Sequence, residues 1–251
     1  LMFLGCPIRM ILRLGGGDLN ALFGIAGFAG GIGFGTIFLK RGYSLQRTYA
    51  LSKLESAMMP AIQVGLLVLV VTAPAFIFFS QKGPGAMHAP WLISLAAGLV
   101  VGGLSQVSRL CTVGGFRDLF LFKKSILIFG YLAVLIGVFV VNISFGNFHL
   151  GFENQPIAHS DGLWNFLGMA LAGFCSVLLG GCPLRQLIMT GEGNSDSAVT
   201  VLGLAAGAAF AHNFGLAASG AGPTLNGQIA VGVGFVVALI IAILNTKRAT
   251  A

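Results

Sequence analysis

The chain has 251 residues, of which 56% are hydrophobic and 8% are charged, and its formal net charge is +7. A soluble globular domain carries about 25% charged residues, so this composition excludes an ordinary soluble protein and indicates a polytopic membrane protein. The basic residues lie at the ends of apolar runs and form no patch interleaved with aromatic residues, which argues against a nucleic-acid partner.

The chain opens on a Gly-Cys-Pro-x-Arg motif at residues 5–9, and the same motif returns at residues 181–185. The two cysteines, Cys6 and Cys182, define an offset that also aligns the glycines downstream of each motif. The aligned glycines are Gly15, Gly17, Gly27 and Gly31 with Gly191, Gly193, Gly203 and Gly207. A long apolar run follows each copy, which predicts two related halves built around one thiol-containing site.

Seven apolar runs come close to the roughly 20 residues that a membrane-spanning helix needs. In chain order they cover residues 21–39, 61–80, 91–107, 126–145, 163–180, 198–217 and 229–245. Three shorter apolar pieces follow the cysteine motifs, at residues 7–14, 115–122 and 183–190, and are too short to cross a membrane. They are predicted to be half-helices, and the 38 glycines predict close packing between helices.

Basic residues are concentrated in alternate loops, and this pattern sets the orientation of the spans. The loops after the first, third, fifth and seventh spans hold Lys40, Arg41, Arg47, Lys53, Arg109, Arg117, Lys123, Lys124, Arg185, Lys247 and Arg248. These loops and the C-terminus are predicted to be cytoplasmic. The other loops hold Lys82 and three histidines, His88, His149 and His159, which are expected to be solvated.

The span after the first motif therefore runs inward, whereas the span after the second motif runs outward. The predicted fold is all-α, with polytopic transmembrane helices, an inverted-topology repeat and re-entrant half-helices after the Gly-Cys-Pro motifs. Residues 1–251 are predicted to form a single membrane domain, with the first motif in 1–60, middle spans in 61–160 and the second motif in 161–251. Because a full apolar run precedes only the second motif, we expect at least one further span before Cys6.

Cys6 and Cys182 are the first candidates for a functional site, as thiols near the middle of a pore that touch a passing solute. The alternative is that both are small packing residues at helix breaks. Cys111 lies in a related Ser-Arg-Leu-Cys motif without the proline, and the same two interpretations apply to it. Cys175 lies inside an apolar run, where a free cysteine behaves as a small hydrophobic residue. No spacing matches a zinc site, so free thiols, no metal and no cofactor are predicted.

Arg9 and Arg185 each stand three residues after a motif cysteine. One interpretation is a charge that attracts an anion at the mouth of the pore, and the other is an arginine that satisfies carbonyl groups at the helix break. His212 and Asn213 form a polar pair late in the sixth span, either as a functional pair or in an interhelical hydrogen bond. Asp18 is expected to cap the helix that follows it.

Together these motifs resemble the YeeE/YedE family of sulphur-transport membrane proteins, over nearly the whole chain. The residues that carry the resemblance are 5–9, 108–115, 180–185 and 191–194. Residues 155–159, 163–169 and 212–215 are similar to the YedE branch linked with selenium metabolism. The family implies uptake of thiosulfate or a related anion through an hourglass-shaped protein with cysteines at its constriction. Carried over to this sequence, that role falls on Cys6 and Cys182, with Cys111 in a third related motif.

The resemblance also implies a bacterial inner-membrane location and a cytoplasmic sulfurtransferase partner of the TusA type. The predicted function is a membrane transporter, not an enzyme, that imports a small sulfur- or selenium-containing anion by relay along the pore cysteines. Helix N-termini and arginines would offset part of the cost of moving such an anion through the lipid bilayer. The alternative is a membrane redox or sulfurtransferase protein that uses the same cysteines covalently.

Overall fold

The computed structural model of the protein describes residues 2–45, 52–73, 76, 81, 86 and 89–246. Within these residues the chain forms ten α-helices and, in place of β-strands, only isolated β-bridges. The helices are α1 (Pro7–Gly15), α2 (Asn20–Lys40), α3 (Lys53–Thr72), α4 (Trp91–Ser108), α5 (Thr112–Phe122), α6 (Ile126–Ser144), α7 (Gly162–Leu179), α8 (Pro183–Gly191), α9 (Ser195–Asn213) and α10 (Leu225–Leu244). The all-α prediction is therefore confirmed.

Five stretches of the described chain are long and apolar enough to cross a membrane. They are Asn20–Lys40, Trp91–Phe122, Ile126–Ser144, Gly162–Gly191 and Leu225–Leu244. The prediction of seven spans is reached only in part. The span predicted at 61–80 begins inside α3, which ends at Thr72, and residues 74, 75 and 77–80 lie outside the described residues. The span predicted at 198–217 falls on α9, which is helical but is not among the five, and polar residues stand at both ends of this helix.

Each of the three motif cysteines is followed by a short helix, as the half-helix prediction requires. The helices α1 and α8 match the predicted pieces at 7–14 and 183–190 to within one residue. The helix α5 begins at Thr112, three residues before the predicted start, because it begins directly after Cys111. The predicted breaks in the longer apolar runs therefore lie at the cysteines themselves.

The described residues fall into two compact units. The larger unit contains described residues from 1–47, 110–184 and 204–251, and the smaller contains those from 48–109 and 185–203. Within the larger unit, α2 packs along α7, and α1, α5 and α6 pack around them. Their shared core contains Phe28 and Ile32 of α2, Met169 and Val177 of α7, and Val113 of α5.

Glycines of α2 allow its backbone to touch the backbone of α7. A β-carbon built on Gly27 would collide with the carbonyl group of Phe166, and one built on Gly31 would collide with that of Ala170. In the opposite direction, a β-carbon on Gly173 of α7 would collide with the carbonyl group of Phe28. The predicted role of glycine in close helix packing is confirmed for this helix pair.

Replacing Gly31 with alanine is expected to destabilise the protein by about 1–3 kcal/mol, because the added methyl group forces the two helix backbones apart. Gly30 is the matched control, since a β-carbon there would meet only the Phe166 ring at 3.9 Å. The measurement is the thermal midpoint of the detergent-purified variants. Equal midpoints for Gly31→Ala and Gly30→Ala would contradict the close approach.

The loop between α6 and α7 closes over the start of α2. The backbone N–H of His149 donates to the carbonyl of Gly16, and that of Gly151 donates to the carbonyl of Gly17. His159 is only 4% exposed, and its Nε2 lies 2.8 Å from the carbonyl oxygen of Met2. The expectation that His159 is solvated is therefore wrong: its ring holds the N-terminal segment against this loop.

Candidate functional site

The three motif cysteines occupy the same position relative to a helix. Cys6 is the N-cap of α1, Cys111 is the N-cap of α5, and Cys182 directly precedes α8. Two residues before each cysteine the backbone is left-handed, at Leu4 (φ 58°), Arg109 (φ 52°) and Gly180 (φ 82°). Glycine adopts this conformation without strain, whereas a side chain makes it costly, and such strain is concentrated at functional sites.

Two of the three thiols are neighbours. Cys182 belongs to the buried core against which Cys111 packs, and the two side chains interact with each other. The Cys111 Sγ also accepts a hydrogen bond from the backbone N–H of Gly114, at 3.3 Å, and so caps α5. The thiols of Cys111 and Cys182 therefore lie together at the N-terminal ends of two different short helices.

Tyr131 of α6 connects this pair to the third cysteine. It lies in the same buried core as Cys182, and its hydroxyl donates to the carbonyl oxygen of Pro7, the residue after Cys6, at 3.4 Å. The Phe116 ring packs edge-on against it, with ring centroids 5.8 Å apart. Sequence reasoning missed Tyr131 because one tyrosine in an apolar run has the same pattern as a core residue.

The three cysteines differ in exposure. Cys6 is exposed, Cys111 is half-buried, and Cys182 is 1% exposed. The neighbouring Thr112 hydroxyl is buried and has no hydrogen-bond partner among the described residues. The cysteine cluster, defined as Cys6, Cys111, Cys182 and Tyr131, thus leads from an exposed thiol to a buried one. Helix N-termini favour negative charge and thiols are polarizable, so the cluster suits an anion that carries sulfur.

Cys6 is expected to react with a maleimide faster than Cys182 in the detergent-solubilised protein, because Cys6 is exposed whereas Cys182 is 1% exposed. Peptide mass spectrometry of samples quenched at increasing times measures both rates in one experiment. Half-buried Cys175, which lies in α7 outside the motifs, provides an internal reference. Labelling of Cys182 before Cys6 would contradict the order of exposure.

Arg9 lies one turn into α1, on the same side of the helix as Arg13. It is half-buried, and its Nε has no hydrogen-bond partner among the described residues. Both arginines line a cavity of about 440 Å³ between α1, α6 and the loop after α6. Arg13 was not singled out in the sequence, although a second arginine in so short a predicted half-helix was a usable signal.

Arg185 has a different environment from Arg9, although their motifs match. Its Nη1 donates to the Oε1 of Gln106, at 3.0 Å, and the Nε2 of Gln106 donates in turn to Glu192. All three residues belong to the smaller unit. The Arg185 side chain is therefore tied into a polar chain, which favours a structural contribution beside any contact with a solute.

His212 is exposed in the last turn of α9. The Nδ2 of its neighbour Asn213 donates to the carbonyl oxygen of Ala209, at 2.8 Å, within the same helix. Asn213 therefore makes a hydrogen bond within its own helix, and not the interhelical hydrogen bond that was one of the two interpretations of the pair. The role of His212 as a pore residue stays a prediction.

The family model for sulphur transport matches residues 107–248, more than half of the chain. The chain belongs to the sulphur-transport family. This membership confirms the resemblance to YeeE/YedE proteins, and the matched region contains Cys111 and Cys182. A search of curated proteins and a search of solved structures each found no match. Sulphur-transport membership and the apolar helices together support a multi-pass membrane protein that transports sulphur.

Proposed function

We propose that this protein imports a small divalent sulfur anion of the thiosulfate type, and that Cys6, Cys111 and Cys182 guide it through the membrane. The observation that carries the proposal is the placement of these cysteines. Each stands at the N-terminal end of a short helix, and Tyr131 shares a buried core with Cys182 and hydrogen-bonds to the residue after Cys6. Membership of the sulphur-transport family supports the substrate class.

The energetic problem for such a protein is to hold a divalent anion in a medium of low dielectric. Backbone N–H groups in the first turn of a helix have no partner within that helix, so they point at whatever lies beyond its end. The N-terminal ends of α1, α5 and α8 then supply partial positive charge without a fixed ion. Half-helices of an inverted repeat that meet inside the membrane, with α1 and α8 as counterparts, would create this arrangement.

The thiols supply weak and reversible contacts. A thiol is a weak S–H donor with a polarizable sulfur, so it can touch the terminal sulfur of thiosulfate without holding it as a fixed charge would. Transport needs binding that is weak enough for release. In this scheme the anion moves from exposed Cys6 to the Cys111–Cys182 pair by non-covalent contacts. Arg9 and Arg185 would attract the anion at the two mouths, and His212 would contact it along the way.

The proximity of Cys111 and Cys182 in one core also favours a second candidate function, a membrane sulfurtransferase. In that reaction a cysteine thiolate attacks the outer sulfur of thiosulfate, a persulfide forms on the cysteine, and sulfite leaves with the electron pair of the broken S–S bond. Mass spectrometry after incubation with thiosulfate separates the two functions. A persulfide on Cys182 supports the transferase, whereas unmodified thiols during uptake support the transporter.

The loops of the protein also indicate its orientation in the membrane and a partner. The distribution of basic residues favours a C-terminus in the cytoplasm, although Lys247 and Arg248 lie outside the described residues. The resemblance to the YeeE/YedE family favours a bacterial inner membrane. Basic inner loops would suit a TusA-type sulfurtransferase with an acidic docking surface. The similarity to the selenium-linked branch makes a selenium oxyanion the competing substrate.

The proposal is tested with purified protein in liposomes and radiolabelled thiosulfate outside. Saturable uptake above that of empty liposomes is expected. A tenfold excess of sulfate should compete less well than the same excess of unlabelled thiosulfate, while strong competition by selenite would assign the substrate to selenium. Uptake equal to that of empty liposomes would refute transport of thiosulfate.

A further inference from the structure

A second polar site lies outside the cysteine cluster, in the cavity beside α1. The arginine cavity, as we name it, has a volume of about 440 Å³. It is lined by Arg9, Leu12, Arg13, Gly16, Asp18, Asn142, Asn147, His149, Gln155 and Pro156. The exposed rim carries Asn147, His149 and Pro156, whereas Arg13 and Asp18 are buried. The cavity therefore leads from an exposed loop to a buried ion pair.

Arg13 is held firmly but is not fully satisfied. The residue is 8% exposed, its Nε donates to the Oδ2 of Asp18 at 2.6 Å, and its Nη1 donates to the carbonyl oxygen of Phe3 at 2.5 Å. The guanidinium also lies 4.2 Å from the centroid of the Phe3 ring. Its Nη2 is buried and has no hydrogen-bond partner among the described residues. A buried donor left in this way is costly and calls for a ligand.

The carboxylate of Asp18, which carries the negative charge in the cavity, already accepts hydrogen bonds at both of its oxygen atoms. The Oδ1 of Asp18 accepts hydrogen bonds from the backbone N–H and the side-chain amide of Asn20, both at 2.9 Å, and its Oδ2 accepts from Arg13. Arg9 adds a second guanidinium, whose Nε also lacks a partner among the described residues. Two guanidinium groups against one carboxylate leave a positive excess with open donors.

We propose that the arginine cavity is a binding site for a small divalent oxyanion, such as sulfate or thiosulfate. Arginine donors match the oxygen atoms of such an anion and attract it through charge. Because no thiol lines this cavity, it recognises oxygen and charge and does not distinguish the outer sulfur of thiosulfate from an oxygen of sulfate. The cavity collects divalent oxyanions, and selection for sulfur falls to the cysteine cluster. The selection for sulfur at the cysteine cluster rests on the proposed transport function, whereas the binding site in the arginine cavity does not.

The test measures sulfate binding to the purified protein by isothermal titration calorimetry, with no transport required. We expect saturable binding of sulfate and of thiosulfate with similar affinities. Arg9→Gln should weaken both by about tenfold, the loss of one charge-assisted hydrogen bond. Arg41→Gln is the matched control. This substitution removes the same charge, but from an exposed arginine at the C-terminal end of α2.

A second variant guards against misfolding of the first. Asn147→Asp places a negative charge on the exposed rim and should also weaken sulfate binding, while Cys175→Ser, in α7 and outside both the arginine cavity and the cysteine cluster, should leave it unchanged. Absence of saturable sulfate binding to the wild type would overturn the site, as would unchanged affinity in both cavity variants. Failure of thiosulfate uptake with sulfate binding intact would refute the transport proposal and leave this site standing.

Discussion

Cys182→Ser is expected to lower the initial rate of thiosulfate uptake about tenfold or more, a change that corresponds to roughly 1.4 kcal/mol in the barrier. Serine is close to cysteine in size, so the helix break before α8 is retained. Its hydroxyl is less polarizable than a thiol and forms stronger hydrogen bonds. The serine hydroxyl at position 182 would then hydrogen-bond to water or to a neighbouring residue and would not contact the outer sulfur of the anion. The measurement is uptake of radiolabelled thiosulfate into liposomes at matched protein content.

Cys175→Ser is the matched control for this prediction. Cys175 is half-buried in α7 and packs against a different core, which contains Phe174 and Phe38. The same chemical change there should leave uptake near the wild-type rate. A wild-type rate for Cys182→Ser would remove the buried thiol from the mechanism. An equal loss in both variants would mean that the effect comes from general destabilisation.

The short helices were predictable because proline and glycine mark a break in any apolar run. Proline has no N–H to lose in the first turn of a helix, so Gly-Cys-Pro indicates a helix start. The shared geometry of the third motif was harder to predict. Arg109 adopts the left-handed backbone that Gly180 adopts at the corresponding position, although arginine has no intrinsic preference for it. Arg109 adopts that conformation as the exposed C-cap of α4, and no glycine or asparagine marks this helix end in the local pattern.

Contacts between distant segments set the limit of prediction for the site. Tyr131 and Pro7 are far apart in the chain, and no spacing rule connects them. Asp18 was expected to cap α2, and its Oδ1 does accept a hydrogen bond from the backbone N–H of Asn20. Its other oxygen pairs with Arg13, which a capping rule does not anticipate. The repeat drew attention to Arg9 and Arg185, whereas the buried arginine has no counterpart in the second motif.

Asp18→Ala is expected to lower the free energy of unfolding by about 3–5 kcal/mol, the usual cost of removing one partner from a buried ion pair. Burial lowers the pKa of Arg13, whereas the hydrogen bond and the charge of Asp18 raise it. Without Asp18 the guanidinium stays protonated and faces the burial alone, because arginine does not lose its proton in proteins. Asn20 loses its acceptor in the same variant. Thermal and chemical unfolding in detergent measure the loss.

The matched control is the other ion pair among the described residues, between Arg117 and Asp118. Its Nη2 and Oδ1 atoms are 2.9 Å apart, but the two side chains are 32% and 23% exposed. Asp118→Ala should cost at most about 1 kcal/mol, since water screens a partly exposed pair. The double variant Arg13→Met/Asp18→Leu should recover much of the stability lost in Asp18→Ala, because it removes the unpaired charge. Equal losses in Asp18→Ala and Asp118→Ala would show that burial does not set the strength of the Arg13–Asp18 pair.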